Sequence, residues 1–346
     1  MNHDNILEFI YKIPKAEQHL HIEGTLEPAM IFEIARRNNI VLKYRDAHEL
    51  RAAYNFSNLQ EFLDIYYLCS RVLKTYSDFY EIAMAYYTTA FHQSVVHSEI
   101  FFDPQTHLQN GVPFSVFFNA ISDAARDAKK RFGHDVSFIM CFLRHLSEES
   151  ALETLEMALP FKKKIIGIGL DSSELGNPPK KFERLFEKAR QYGFHTVAHA
   201  GEEGPVEYIH QALDLLKVQR IDHGNRAIDD ESLIQKLAQS QIPLTLCPLS
   251  NKKLKVINDF KEHPLKHFLD KNVLATVNSD DPAFFGGYLS ENLMVVQQAL
   301  NLDKNDIITL AKNSFRASFM SDKKKEDYIE MVDDFVTHFN KQNPPK

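Results

Sequence analysis

Residues 16–24, AEQHLHIEG, place two histidines two positions apart in a run that reads as a strand. Because side chains alternate along a strand, His19 and His21 are expected on one face of a sheet. Two neutral imidazoles on one face supply half of the ligands of a typical zinc site. Taken alone, such a pair also suits two half-buried strand histidines. The metal interpretation therefore depends on what the rest of the chain supplies.

Length and composition bound the class of protein. The chain has 346 residues, which suits either two domains or one α/β barrel. With 44% hydrophobic and 25% charged residues it has the composition of an ordinary globular protein. A formal net charge of −7 argues against a nucleic-acid groove, which needs a basic face. No run reaches the roughly 18 apolar residues needed to span a bilayer. We therefore expect neither a nucleic acid nor a membrane as a partner.

The cysteines give no sign of cross-linking. Cys69, Cys141 and Cys247 lie far apart and form no C-x-x-C pair, so neither a disulfide framework nor a thiolate zinc site is indicated. Residues 1–15 lack the cationic segment and apolar core of a signal peptide. These features predict a reduced, cytoplasmic setting.

A repeated pattern of a short apolar run, a polar cluster and a helical segment predicts the architecture. Together with the opening strand, the apolar runs number eight; the further seven are 99–103, 136–143, 165–171, 196–199, 220–223, 244–247 and 273–278. Helical segments separate most of them, at 112–131, 148–159, 180–192, 206–216, 229–239 and 263–270. This alternation predicts an α/β fold, a (β/α)8 TIM barrel, with extra C-terminal helices from residue 287 onward. A doubly wound sheet is the alternative, but no G-x-G-x-x-G follows an early strand.

Helical patterns without a strand signal fill the segment between the first two strands. Thr25 is expected to cap a first helix that has Pro28 in its first turn, and the pattern stays helical from residue 56 to residue 96. We predict one domain over residues 1–346 with a helical insertion at about 26–97. The aromatic residues of the insertion suit either core packing or a lid over a site.

Ionisable residues collect where the predicted strands end, which is where barrel enzymes keep their active sites. A metal at that end would take His19 and His21 from the first strand, His199 from the fifth, and a carboxylate from the eighth. Bound zinc lowers the pKa of water toward neutrality and so supplies a hydroxide nucleophile. Because residues 165–170 contain no ionisable side chain, we expect one metal ion rather than two. Iron or manganese could replace zinc at such a nitrogen and oxygen site.

Four motifs resemble the adenosine and adenine deaminase family of metal-dependent amidohydrolases. They are HLHIEG at 19–24, HAGE at 199–202, DHG at 222–224 and SDDP at 279–282, in the order that the family has them. The resemblance implies four zinc ligands: His19, His21, His199 and Asp280. It implies that Glu202 protonates N1 of a purine and that His223 orients the attacking hydroxide. It also implies that Asp281 hydrogen-bonds N7, which requires a proton on one of the two groups.

Three longer motifs, at 169–179, 247–251 and 278–288, resemble the branch of the family that acts on free adenine. Relatives that act on nucleosides tend to have a glycine where Glu174 stands and a ribose-binding aspartate where Glu23 stands. The resemblance therefore implies hydrolysis of adenine to hypoxanthine and ammonia, in purine salvage. We expect Glu174 to fill the space of the ribose and to accept a hydrogen bond from N9–H. Gln18 departs from the usual apolar residue and is expected to face a helix, away from the metal.

Two other functions stay open at this point. One is deamination of adenosine or of an N6-substituted adenine, because the groups that bind the ring would be the same. The other is a catalytically silent purine-binding protein that keeps the barrel. The oligomeric state is also open, with a homodimer as one alternative.

Overall fold

The strands form a parallel barrel in which each strand pairs with its neighbour in sequence. The computed structural model describes residues 3–343. Its strands are β1 Lys15–His21, β2 Val95–Phe102, β3 Asp135–Leu143, β4 Ile165–Asp171, β5 His195–Ala200, β6 Arg220–His223, β7 Leu244–Leu246 and β8 Ala275–Val277. The predicted (β/α)8 TIM barrel is confirmed.

The barrel closes between β1 and the residues that follow β8. Leu20 pairs with Asp280 in a parallel bridge. The backbone N–H of His21 donates to the carbonyl of Asp280 at 3.0 Å, and the N–H of Asp280 donates to the carbonyl of His19 at 3.0 Å. Closure therefore brings the backbones of three predicted metal ligands together.

The helices surround the barrel. In chain order they are α1 His3–Lys12, α2 Pro28–Arg37, α3 Ala47–Ala52, α4 Leu59–Ser70, α5 Tyr76–His92, α6 Pro104–Gln109, α7 Phe114–Phe132, α8 Glu148–Ala158, α9 Glu183–Gln191, α10 Val206–Asp214, α11 Glu231–Ser240, α12 Pro248–Lys253, α13 Leu265–Asp270, α14 Pro282–Phe285, α15 Leu289–Ala299, α16 Lys304–Arg316 and α17 Asp322–Gln342. Short helices such as α6 and α12 begin at a proline directly after a strand, and the sequence pattern did not single them out. Among residues 3–343, no helix is both long and apolar enough to cross a bilayer.

Helices α2 to α5 occupy the segment between β1 and β2. Pro28 is the first residue of α2, as predicted, but the expected cap at Thr25 is wrong. The Thr25 hydroxyl donates instead to the carbonyl of Ile22 at 2.7 Å, and Glu27 stands at the cap position. The helical pattern ends at His92 rather than at residue 96, because β2 begins at Val95. The assignment of residues 1–346 to one domain stays a prediction, and its two ends lie outside the described residues.

Gln18 lies where the sequence predicted. Its side-chain amide donates to the carbonyl of Ser314 in α16 at 2.5 Å, so it faces a helix rather than the interior of the barrel. Cys69, Cys141 and Cys247 are free thiols, and all three are buried.

Candidate active site

Four predicted ligands meet at the carboxyl end of the barrel. His19 and His21 lie on β1, His199 lies on β5, and Asp280 follows β8. One ligand atom from each lies within 4.8 Å of the ligand atoms of the other three, and all four side chains are buried. The sequence placed these residues at three separate strand ends, and the fold brings them to one point.

The Nε2 atoms of the three histidines point toward the centre of this cluster. Nε2 of His19 lies 3.2 Å from Oδ1 of Asp280, and Nε2 of His21 lies 3.6 Å from the same oxygen. The Nε2 atoms of His21 and His199 face each other at 3.2 Å. Nitrogen and oxygen donors that converge in this way suit a borderline-soft divalent ion.

Burial keeps the imidazoles of His21 and His199 neutral, which is the state that binds metals. Desolvation lowers the pKa of His21 to about 4 and lowers the pKa of His199 well below its ordinary value. Both rings are therefore unprotonated at neutral pH. The residues present fit a zinc ion.

Glu202 and His223 adjoin the cluster. Nε2 of His223 lies 3.5 Å from Oε2 of Glu202 and 3.9 Å from Oδ2 of Asp280. Burial, followed by the charges of Asp280 and Glu174, raises the pKa of Glu202 well above its ordinary value. Burial lowers the pKa of His223 to about 3. The site thus pairs a protonated carboxyl group with a neutral imidazole.

Two residues of the site adopt a backbone conformation that non-glycine residues rarely take. His223 and Asp280 both have a φ of 63°. A residue held in the left-handed region costs on the order of 1–3 kcal/mol, and such residues cluster at functional sites. Both of these strained residues therefore lie in the ligand cluster or directly beside it.

Asp281 lies against the glycine that ends the first motif. A Cβ atom on Gly24 would lie 2.0 Å from Oδ1 of Asp281, so only glycine leaves room for this carboxyl group. Burial, together with the neighbouring Asp280, raises the pKa of Asp281 well above its ordinary value. The carboxyl group of Asp281 lines the same cavity as Glu202 and His223.

The chain matches a known protein family over most of its length. The profile of the family described as adenosine deaminase matches residues 14–335. The chain belongs to the adenosine deaminase family. An adenine deaminase of Acinetobacter baylyi is 55% identical over 328 residues, which cover 95% of this chain and 99% of that protein. An adenine deaminase of Zymomonas mobilis is 52% identical over 336 residues, which cover 97% of this chain and all of that protein.

Solved structures agree with the family assignment. The crystal structure of adenine deaminase from Arthrobacter aurescens superposes with a TM-score of 0.92 at 46% identity, covering 94% of this chain and 99% of that one. At that identity and coverage, the barrel and the segments between its strands are shared by the two members of the adenosine deaminase family.

A cavity lies over the cluster at the carboxyl end of the barrel. Helix α4 forms much of the apolar wall of the cavity, and helix α14 contributes Phe285. The lining side chains outside the metal cluster include Leu59, Phe62, Leu63, Tyr66, Tyr67, Leu254 and Phe285. The aromatic face of α4 therefore belongs both to the core and to the wall of the site. The sequence pattern did not distinguish these two roles.

The site of this adenosine deaminase family member also contains two carboxyl groups to which the sequence analysis assigned no role. Asp103 follows β2 and Asp171 ends β4, and both line the cavity. Oδ2 of Asp171 lies 3.6 Å from Nδ1 of His21. Burial raises the pKa of Asp171 to about 7, and it raises the pKa of Asp103 well above its ordinary value. Their place directly after strands was the signal available in the sequence.

Glu174 lies behind the loop that carries Glu202. Its Oε1 atom accepts the N–H of Gly201 at 2.7 Å. Its Oε2 atom accepts three further backbone N–H groups, from Glu202 at 3.1 Å, Glu203 at 3.0 Å and Gly204 at 2.7 Å. Because a carboxylate oxygen accepts about two hydrogen bonds, only Oε1 has capacity for another donor.

Glu23 is fully buried beside His107. Oε1 of Glu23 lies 2.7 Å from Nε2 of His107 and accepts the backbone N–H of Asp103 at 3.2 Å. Its other oxygen is buried and has no hydrogen-bond partner among the described residues. The carboxylate is therefore held toward β2 and α6, next to the site.

Proposed function

We propose that this protein is an adenine deaminase, which hydrolyses adenine to hypoxanthine and ammonia in purine salvage. The observation that carries the proposal is the convergence of the four-ligand cluster with Glu202 and His223 on one cavity at the carboxyl end of the barrel. Adenine deaminases more than 50% identical over nearly the whole chain support the substrate.

One zinc ion per chain would be held by His19, His21, His199 and Asp280. When bound, zinc lowers the pKa of water toward neutrality and so makes hydroxide available for hydrolysis. Iron and manganese remain alternatives, because nitrogen and oxygen donors accept each of these ions. Asp171 is proposed to orient His21 by contacting the Nδ1 atom of the histidine ring, rather than to bind a second ion.

Glu202 is the proposed general acid. Its buried carboxyl group keeps its proton and donates it to N1 of adenine, which withdraws electrons from the ring and makes C6 electrophilic. The neutral imidazole of His223, 3.5 Å from Glu202, is placed to hydrogen-bond the oxygen that adds to C6. Asp281 is proposed to hydrogen-bond N7. Loss of ammonia from C6 then leaves the 6-oxo purine.

Selection of the free base is proposed to involve Glu174 and Glu23. Glu174 lies behind the loop of residues 201–204 and outside the lining of the cavity, and its Oε1 atom would accept the hydrogen bond from N9–H of a base that reaches this loop. Glu23 is held toward β2 and α6 by His107 and by the backbone N–H of Asp103, and would therefore not reach a ribose hydroxyl. A site that binds a specific donor rejects the analogue that lacks it, and adenosine has no N9–H.

Substitution of Glu174 tests both the function and the selectivity. We expect Glu174→Gly to lower the ratio of kcat/KM for adenine to kcat/KM for adenosine by at least about tenfold, because the acceptor for N9–H is lost. The substitution also removes the bonds that hold the loop carrying Glu202. This effect should lower kcat/KM for adenine and for adenosine alike, so it cancels in the ratio. Glu174→Gln, which keeps the volume, is the matched control. An unchanged ratio would contradict this role, whereas wild-type protein that releases no ammonia from adenine would contradict the function itself.

The location and domain organisation complete the proposal. We propose a cytoplasmic enzyme, because three buried free thiols suit a reducing compartment. We propose that the barrel and the helices between β1 and β2 form one domain.

A further inference from the structure

Two histidines of the ligand cluster turn their Nδ1 atoms away from its centre. Both atoms point toward the buried carboxylate of Asp222, that of His19 through the hydroxyl of Thr245 and that of His199 directly. Nδ1 of His19 lies 2.9 Å from Oγ1 of Thr245 on β7. Nδ1 of His199 lies 3.7 Å from Oδ2 of Asp222 on β6. Since Nε2 faces the centre in both rings, the partner at Nδ1 decides whether Nε2 carries a lone pair or a proton.

Thr245 selects the tautomer of His19. The Thr245 hydroxyl donates its hydrogen to Oδ1 of Asp222 at 3.0 Å. Its oxygen is therefore left as an acceptor, and the group that reaches it is Nδ1 of His19. A proton on Nδ1 leaves the lone pair on Nε2, which faces Asp280. This is the tautomer that can bind a metal ion through Nε2.

The same carboxylate reaches His199. Neither Nδ1 of His199 nor Oδ2 of Asp222 has a hydrogen-bond partner among the described residues, and the two atoms face each other. Both side chains are buried. A ring N–H beside a carboxylate oxygen is attracted to it, and the attraction is strong away from water. Asp222 thus contacts one ligand through Thr245 and a second one directly.

Arg220 anchors Asp222. The two residues alternate with Ile221 on β6, so both side chains lie on the inner face of the strand. Nε of Arg220 lies 3.4 Å from Oδ1 of Asp222, and Nη2 donates to the carbonyl of Gln18, beside His19, at 3.1 Å. Nη1 donates to Oε2 of Glu99 at 2.5 Å. The guanidinium therefore fixes both the carboxylate and the backbone of β1.

We propose that Asp222 is a positioning residue for the metal site, acting on His19 through Thr245 and on His199 directly, with Arg220 as its anchor. The inference rests on the zinc site of the proposed function and extends it to residues beyond the ligands. Outer partners of this kind fix the ring orientation and tautomer of metal-binding histidines.

The test removes one hydroxyl group. Thr245→Val keeps the shape of the side chain and its preference for a strand, whereas Thr245→Ser keeps the hydroxyl. The matched control is Thr276→Val on β8, since Thr276 is the register partner of Thr245 and its hydroxyl bonds to Asn278 and the Leu244 carbonyl. We expect Thr245→Val to raise the zinc dissociation constant, measured against a competing chelator, by about 10- to 100-fold. The serine variant and the control should stay close to wild type.

A second readout distinguishes positioning from a general loss of stability. NMR of the imidazole nitrogens in zinc-free protein should show His19 protonated at Nδ1 in wild type and in Thr245→Ser, and this preference should be lost in Thr245→Val. An unchanged dissociation constant together with an unchanged tautomer would overturn the positioning role. Wild-type protein that binds no zinc would overturn the metal site and this inference with it. Tight zinc binding without deamination of adenine would contradict only the proposed reaction.

Discussion

Glu202→Gln is expected to lower kcat for adenine deamination by about 10²- to 10⁴-fold, the range typical for removal of a general acid. Glutamine keeps the size of the side chain but has no acidic proton for N1, so C6 stays a poor electrophile. Glu202 is buried and contacts His223, and Glu174 holds the loop that carries it. The loss should therefore come from chemistry rather than from unfolding. Initial rates of hypoxanthine formation measure it.

The control for this variant is its zinc content. Glu202 is not one of the four proposed ligands, so Glu202→Gln should bind zinc as tightly as wild type. Retained activity with full zinc occupancy would contradict the role of Glu202 as the acid. Loss of zinc together with activity would show that Glu202 acts on the metal site rather than on N1.

Glu99→Gln is expected to destabilise the protein by up to about 3–5 kcal/mol, because it removes the nearer of the two buried carboxylates that face the Arg220 guanidinium and leaves only Asp222, at 3.4 Å. Glu99 and Arg220 are both fully buried, and their side chains meet at 2.5 Å. The phenyl ring of Phe319 lies 4.8 Å from the guanidinium and does not replace the lost charge. Equilibrium unfolding in urea measures the difference in free energy.

An exposed pair gives the matched control. Lys271 and Glu231 lie 2.7 Å apart on the surface, with about half of each side chain exposed. Glu231→Gln should cost less than about 1 kcal/mol, since exposed ion pairs contribute little. Equal effects of the two substitutions would contradict the importance of the buried pair.

The same pair predicts how stability depends on pH. Burial raises the pKa of Glu99, but Arg220 and His97 outweigh burial and bring the pKa to about 2. The unfolded value is about 4.3. Because the folded pKa is the lower one, the contribution of Glu99 to stability is complete above the unfolded value and is lost as the pH falls toward 2. Wild type should lose this contribution on acidification, whereas Glu99→Gln should not.

The sequence predicted the barrel because each strand carries a buried apolar run and ends in a polar cluster. It predicted the ligand cluster because three strand ends carry the expected donors. The prediction that Thr25 caps α2 was wrong because a threonine hydroxyl near the start of a helix can bond either to the helix or to the preceding backbone. Here the hydroxyl donates to the carbonyl of Ile22. Local pattern does not distinguish these two partners.

The sequence did not predict the contacts of the proposed positioning residues. Arg220 and Asp222 alternate on a strand, which shows that they share a face but not which histidines they meet. Glu174 was expected near the base, and its four bonds to the backbone of residues 201–204 depend on how two loops meet in space. Contacts between distant strand ends are fixed by the closed barrel rather than by any local motif.

Deamination of free adenine at the four-ligand site can be tested directly. The most direct measurement is ammonia release from adenine, adenosine and N6-methyladenine by zinc-loaded protein and by protein stripped with a chelator. We expect rapid release of ammonia from adenine, far slower release from the other two compounds, and no release without metal. Preference for adenosine or for N6-methyladenine, or turnover of adenine that does not depend on metal, would contradict it.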